Sequence, residues 1–370
     1  MTRSLGIALV LLACSSTMTL AQVTLNREDA FNFPSRHAWN LFLTVNHPAK
    51  DPRLGRGLPD LEKRIGTPGT TVVWETWRLS EKEVFLEKGA EPPPWDDLTL
   101  PGNPVTGKVP ERLKLNVVER LADVRSGARR GPSLFFDLNE GVFHGEGGFG
   151  ESRMNKATYE FVRSQKLYSV EGQAAFASDF VAGKKPALSF PVESMEVKAA
   201  WRELTPQEVA SGVDRRYYVV SVKDRKFGLV ALHVITKDIP NWFWSTFHHV
   251  DALPPDLEPG SETPDTYGRP AILQGTVWEN YKLGGTQTDF YTSTGSKTLL
   301  SDAYIEKDFV KSSCITCHAQ ARRDPSGIPM GPRSKFDTGA PDESQFLMDG
   351  RPIAAQMDFL FSLFRAKSVN

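Results

Sequence analysis

Residues 314–318 read Cys-Ile-Thr-Cys-His. Two cysteines three positions apart lie on the same side of one helical turn. Both thiols can therefore add to the two vinyl groups of a single haem, the chemistry that the C-x-x-C-H pattern serves. The histidine directly after the second cysteine can place its imidazole under the iron as the proximal ligand. Cys314 and Cys317 would attach the group and His318 would ligate it.

Two other chemistries use a close cysteine pair. A thioredoxin-like redox pair needs C-x-x-C early in a βαβ unit. Here the motif comes late, after Lys311-Ser312-Ser313, with no such unit around it. A structural zinc site needs four ligands, usually as two pairs. No second cysteine pair and no closely spaced histidine pair follow. Haem attachment is the reading that uses every residue of the motif.

At this motif the chain resembles the c-type cytochromes. The resemblance covers the motif and the stretch leading into it; the larger N-terminal part resembles no family. It implies one covalently attached haem c, His318 as proximal iron ligand, and a helix that ends in the motif. It also implies a methionine several tens of residues downstream as sixth ligand, which Met348 and Met357 fit. Met330 follows His318 more closely but sits in a loop-like setting. His144, His248 and His249 stay open as alternatives. The implied function is electron transfer to and from a redox partner protein. A second reading is a haem-containing oxidoreductase with another active site around His144, Glu146, His248 and His249. A third is a haem-based sensor whose sixth position exchanges with a small ligand.

The compartment fits. Met1-Thr2-Arg3, the apolar run from Leu5 to Leu12 and the small-x-small pattern ending at Ala21 form a signal peptide over residues 1–21, with Gln22 as the mature N-terminus. That implies a periplasmic or secreted protein with no integral membrane span after signal removal. A rival reading of Leu11-Leu12-Ala13-Cys14 is a lipoprotein site with a lipid anchor on Cys14. The chain has three cysteines, so loss of Cys14 leaves only the two haem thiols, and no competing disulfide can form. A net charge of −1 gives no reason to expect a nucleic-acid partner.

The elements that must position the motif are mixed. Hydrophobic content of 40% and charged content of 24% suit a globular chain. With 26 prolines, 29 glycines and eight tryptophans, it reads as loop-rich and aromatic-rich. Helical spacing predicts helices over 29–45, 113–124, 152–164, 173–181, 301–313 and 353–366. Alternation predicts strands over 195–201, 217–222, 227–236, 242–249, 271–281 and 287–291, with Gly284-Gly285 as a turn. Residues 70–77 stay undecided. A glycine-rich run, 141–150, carries His144 and Glu146. The expected fold is α+β: an antiparallel β-rich domain over 22–298, a sandwich or partial barrel with flanking helices. A small helical, cytochrome c-like segment over 299–370 completes it.

Overall fold

One antiparallel sheet organises the chain. The computed structural model describes residues 27–98, 148–222, 225–251, 264–302, 312–332 and 337–369. The signal segment with Cys14, the helix expected over 113–124, most of that expected over 301–313, and the loop with His144 and Glu146 lie outside these residues. The strands are β1 (Arg78–Leu79), β2 (Gly148–Met154), β3 (Met195–Leu204), β4 (Val219–Val222), β5 (Arg225–Thr236), β6 (Phe243–His249) and β7 (Tyr281–Gln287). Their order is β1-β2-β3-β5-β6-β7, with β4 paired to the start of β5. With helices alongside it, the fold is α+β. Among the described residues the sheet is open and forms no closed barrel.

Directly opposed residues of an antiparallel ladder share a face. On β6, Phe243, Ser245 and Phe247 face one way, and Trp244, Thr246 and His248 the other. Helix α1 (Pro34–Val45) covers the first face. Its Trp39 and Phe42 rings lie 5.1 Å and 4.6 Å from Phe247, and His37 lies 4.7 Å from Phe243. Pro34 stands at the first helical position, where its missing N–H costs nothing. The chain breaks at Phe33, so the expected helix over 29–45 is a short turn, Asp29–Asn32, followed by α1.

The second face carries the C-terminal segment. One transverse row, Glu196–Ile235–Trp244–Gln287, runs across four strands. Three of its members hold that segment. Ser362 Oγ donates to Glu196 at 2.8 Å. His318 packs on Trp244, with ring centroids 4.5 Å apart. Gln287 binds the backbone at Ile315. Cys314, Ile315, Met357, Leu360 and Leu363 share one core with the sheet residues.

Several boundaries differ from the sequence reading. The helix expected from Ser152 begins at Lys156 and is α2 (Lys156–Ser164), because Asn155 caps it and Ser152 pairs with Lys198 in the sheet. The next helix, α3 (Val170–Val181), starts earlier than Gln173, behind a Ser169 cap. Residues 73–76 form a 3-10 turn. Gly284-Gly285 is not a turn: β7 runs through it with a bulge opposite Thr246 and Phe247. A Cβ at Gly284 would lie 3.0 Å from His248 Nδ1, so close strand approach explains the glycine. Residues 271–280, expected as strand, form two 3-10 turns.

The expected C-terminal helix over 353–366 is absent. A short strand, Ala355–Gln356, pairs with Arg322–Arg323 after the motif, and a 3-10 turn spans Phe361–Arg365. Asp358 and Phe359 between them have φ of 42° and 69°, which no right-handed helix accommodates. Among the described residues, the part of the C-terminal segment after the motif is therefore not the helical unit that the resemblance implied.

Candidate functional site

The motif forms a short helix, α4 (Cys314–His318). Ser313 is extended and accepts a hydrogen bond from the Thr316 N–H, so the motif opens this helix instead of ending a longer one. Such capping supplies about 1 kcal/mol. The sheet completes the cap. Gln287 accepts from the Ile315 N–H at 3.0 Å and donates to Ser313 Oγ and Thr298 Oγ1, both at 2.7 Å. Gln287 and Trp244 are directly paired, so two cross-strand neighbours hold the two ends of the motif helix.

Gln287→Ala would strand the buried Ile315 N–H, while Ser313 Oγ and Thr298 Oγ1 keep their bonds to Thr316 and Asp289. A stranded buried donor costs about 1–3 kcal/mol. We expect a loss of about 2 kcal/mol in urea unfolding, with an unchanged far-ultraviolet spectrum. A loss below about 0.5 kcal/mol would show that water replaces the amide fully.

Cys314 and Cys317 are both thiols, not a disulfide. Cys314 is buried and its Sγ donates to the Leu300 carbonyl at 3.0 Å, whereas Cys317 is partly exposed. Each sulfur thus sits in a different environment one helical turn apart.

His318 is held on three sides. Its Nδ1 lies 2.7 Å from the Phe359 carbonyl oxygen. A carbonyl only accepts, so Nδ1 carries the proton and Nε2 carries the lone pair. Trp244 and Phe361 flank the ring, with centroids at 4.5 Å and 4.9 Å. Burial pushes the His318 pKa down to about 3, with Lys198 and His233 adding to the effect and the Phe359 carbonyl opposing it. The imidazole is neutral at ordinary pH, the form that binds a metal.

Beside the Trp244 row runs a second, Lys198–His233–Thr246. Asp302 reaches it: Thr246 Oγ1 donates to its carboxylate at 2.6 Å, and His233 Nε2 lies 3.6 Å away. Burial alone would raise Asp302, but the nearby His233 and His248 rings and the Thr246 hydroxyl hold it down to about 2.

The candidate sixth ligands are scattered. Met348 is 67% exposed on a hairpin, and Met330 is half-buried in a two-residue strand paired with Arg322–Arg323. Met357 is fully buried, two residues before the carbonyl that backs the His318 ring. His248 and His249 point to opposite faces, as strand alternation requires. His249 stacks on Tyr217 at 3.6 Å; its Nε2 donates to the Arg216 carbonyl and its Nδ1 accepts from the Asp251 N–H. Both nitrogens are used, so His249 is a core residue and not a ligand. The residues missed from sequence are Trp244, Gln287, Phe359 and Phe361, whose distance along the chain from the motif hides their roles. Among the described residues no three His, Cys, Asp or Glu side chains group as a metal-ion site.

Burial also sets an acid response. The His249 pKa falls to about 4, with burial the main cause and the Arg216 carbonyl and Asp251 opposing. The unfolded chain keeps a value near 6.5, so it binds the proton first as pH falls. Stability from this group is complete above about pH 6.5 and is lost as pH falls towards about 4. Urea midpoints measured across that window should drop, and His249→Gln should flatten the slope. An unchanged slope would place the titration elsewhere.

No family model, curated protein or solved structure matches the chain.

Proposed function

We propose that the chain is a periplasmic monohaem c-type cytochrome acting in electron transfer. Cys314 and Cys317 would hold the haem through two thioethers, and His318 Nε2 would be the proximal ligand. The observation that carries this reading is the Nδ1–H to Phe359 carbonyl bond. A metal-binding histidine almost always donates its second ring N–H to such an acceptor, which fixes the tautomer and strengthens the ligand. The motif supplies the residue types; the tautomer is an independent fit to the same chemistry. A buried thiol, a partly exposed one and a half-buried neutral imidazole complete the fit.

When bound, the haem supplies a one-electron couple. The chain's own residues do the rest. Gln287 and Trp244 fix the helix that bears the thiols and the imidazole. Phe359 holds the proton on Nδ1. Trp244 and Phe361 pack against the ring and hold its orientation. Export would come first, with the signal over residues 1–21 directing the chain to the compartment where haem is attached; an anchor on Cys14 is the alternative. No helix among the described residues is long and apolar enough to cross a membrane. The partner would be a redox protein.

A second reading is a haem-containing oxidoreductase or small-ligand sensor. The Asp302–His233 pair favours it, because a buried histidine 3.6 Å from a carboxylate and close to His318 is a group that can move protons. Met348 is 67% exposed on its hairpin, and Met357 is buried in the core. A sixth position without methionine would suit exchange with small ligands.

The test is the ultraviolet–visible spectrum of the protein matured with haem. A reduced haem c spectrum with a methionine–iron charge-transfer band supports electron transfer. Immediate binding of CO or cyanide favours the second reading. A polypeptide exported beside working haem attachment yet lacking haem would sink both.

A further inference from the structure

Three residues outside glycine take left-handed backbone near the motif: Trp242 (φ 60°), Asp358 (φ 42°) and Phe359 (φ 69°). A bulky residue persists there only when its surroundings impose the conformation. The surroundings are two segments that touch the His318 ring. One, 357–361, provides the Phe359 carbonyl and the Phe361 ring. The other, 237–244, provides Trp244.

One ion pair joins those segments. Lys237 Nζ donates to Asp358 Oδ1 at 2.6 Å and to the Pro240 carbonyl at 2.7 Å. The second Asp358 oxygen accepts the Phe190 N–H at 2.7 Å. Both side chains are less than 10% exposed. A pair buried this deeply is poor evidence for added stability, since apolar residues of similar volume serve as well or better. Its position therefore calls for another account.

We infer that Lys237 and Asp358 are positioning residues for the axial histidine. Their ion pair locks the strained Asp358–Phe359 turn so that the Phe359 carbonyl stays on His318 Nδ1. The inference rests on the proposed role of His318 but concerns groups seen in the fold. With the turn locked, His318 keeps one tautomer and presents Nε2. With it released, the carbonyl can rotate away; without haem the proton can then sit on either ring nitrogen, and with haem the Nδ1–H would lack its acceptor, leaving Nε2 a weaker donor. A weaker donor stabilises the oxidised iron less, so the reduction potential rises.

The test uses the full chain with ¹⁵N-labelled histidine, prepared both without haem and with it. Lys237→Met combined with Asp358→Asn removes both charges together and strands neither, and Asn tolerates positive φ. In the haem-less double variant, nitrogen NMR should show His318 as a mixture of tautomers, against one in the parent. In the haem-bearing double variant, the potential should move positive. Lys237→Arg keeps the pair and should match the parent in both readouts. A folded double variant with parental tautomer and parental potential overturns the inference. So does an equally large change in Lys237→Arg, which would make the effect one of packing. A parent that never acquires haem defeats the proposed function, while the tautomer measurement still decides the role of the pair.

Discussion

Replacing Cys314 and Cys317 together with alanine is expected to abolish covalent haem. The loss should be complete, because the two thiols are the only thioether donors among residues 22–370. Each single variant keeps one thiol and should retain a reduced amount of haem with a shifted absorption band. His318→Ala keeps both thiols, so the haem should stay attached but lose its proximal ligand. The Soret band should move, and imidazole added to the buffer should move it back. Mass spectrometry of the matured protein reads the first result as the gain or loss of one haem mass. A parent chain that carries only its polypeptide mass, in cells that mature another c-type cytochrome, would refute the assignment. The geometry also predicts an order of severity. Cys314 is buried against Leu300 and Cys317 is partly exposed, so Cys314→Ala should disturb the fold more.

Arg78→Met is expected to be the most damaging single change away from the motif. The guanidinium pairs with Glu83 at 3.2 Å, and both side chains are at most 1% exposed. It also donates to the carbonyls of Pro94, Trp95 and Asp97 at 2.6–2.8 Å. Removing one member of a buried pair costs about 3–5 kcal/mol, because the other charge stays in place without its partner. Glu83 would keep the Leu79 N–H at 2.8 Å and the more distant Arg56 at 3.9 Å, too little to replace Arg78. The loops carrying Pro94–Asp97 would also lose their common donor. Urea unfolding at neutral pH should therefore show a loss in that range, with partial recovery in Arg78→Met/Glu83→Leu. Additive single and double effects would show that the two residues do not act as a pair.

Local signals survived folding where they were strong. Pro34 starts a helix because its ring suits the first position. The alternation over 242–249 became β6, with Trp244 and His248 on one face. Signals failed where a distant partner decided the outcome. Apolar residues at helical spacing over 353–366 do not form a helix, because Asp358 is captured by Lys237 and Phe190. The one acidic residue inside that apolar run was the available clue. Gly284-Gly285 looks like a turn, yet close approach of His248 and Thr246 explains the glycine within a continuous strand.

By itself the amino-acid order determined what chemistry the chain offers. Cys314, Cys317 and His318 are set by covalent spacing, and spacing of three and one residues needs nothing from the rest of the molecule. The antiparallel sheet and its face alternation were also legible, because a period of two is a local property. Tertiary structure decided which groups surround those three residues. The Phe359 carbonyl, the Gln287 cap, the Trp244 ring and the Lys237–Asp358 pair come from segments 31 to 81 positions away from His318 in the chain. Their convergence follows from one row across the sheet and a C-terminal strap laid over it. No local pattern encodes that, since it arises from which apolar faces are buried together and which buried polar groups must then find partners.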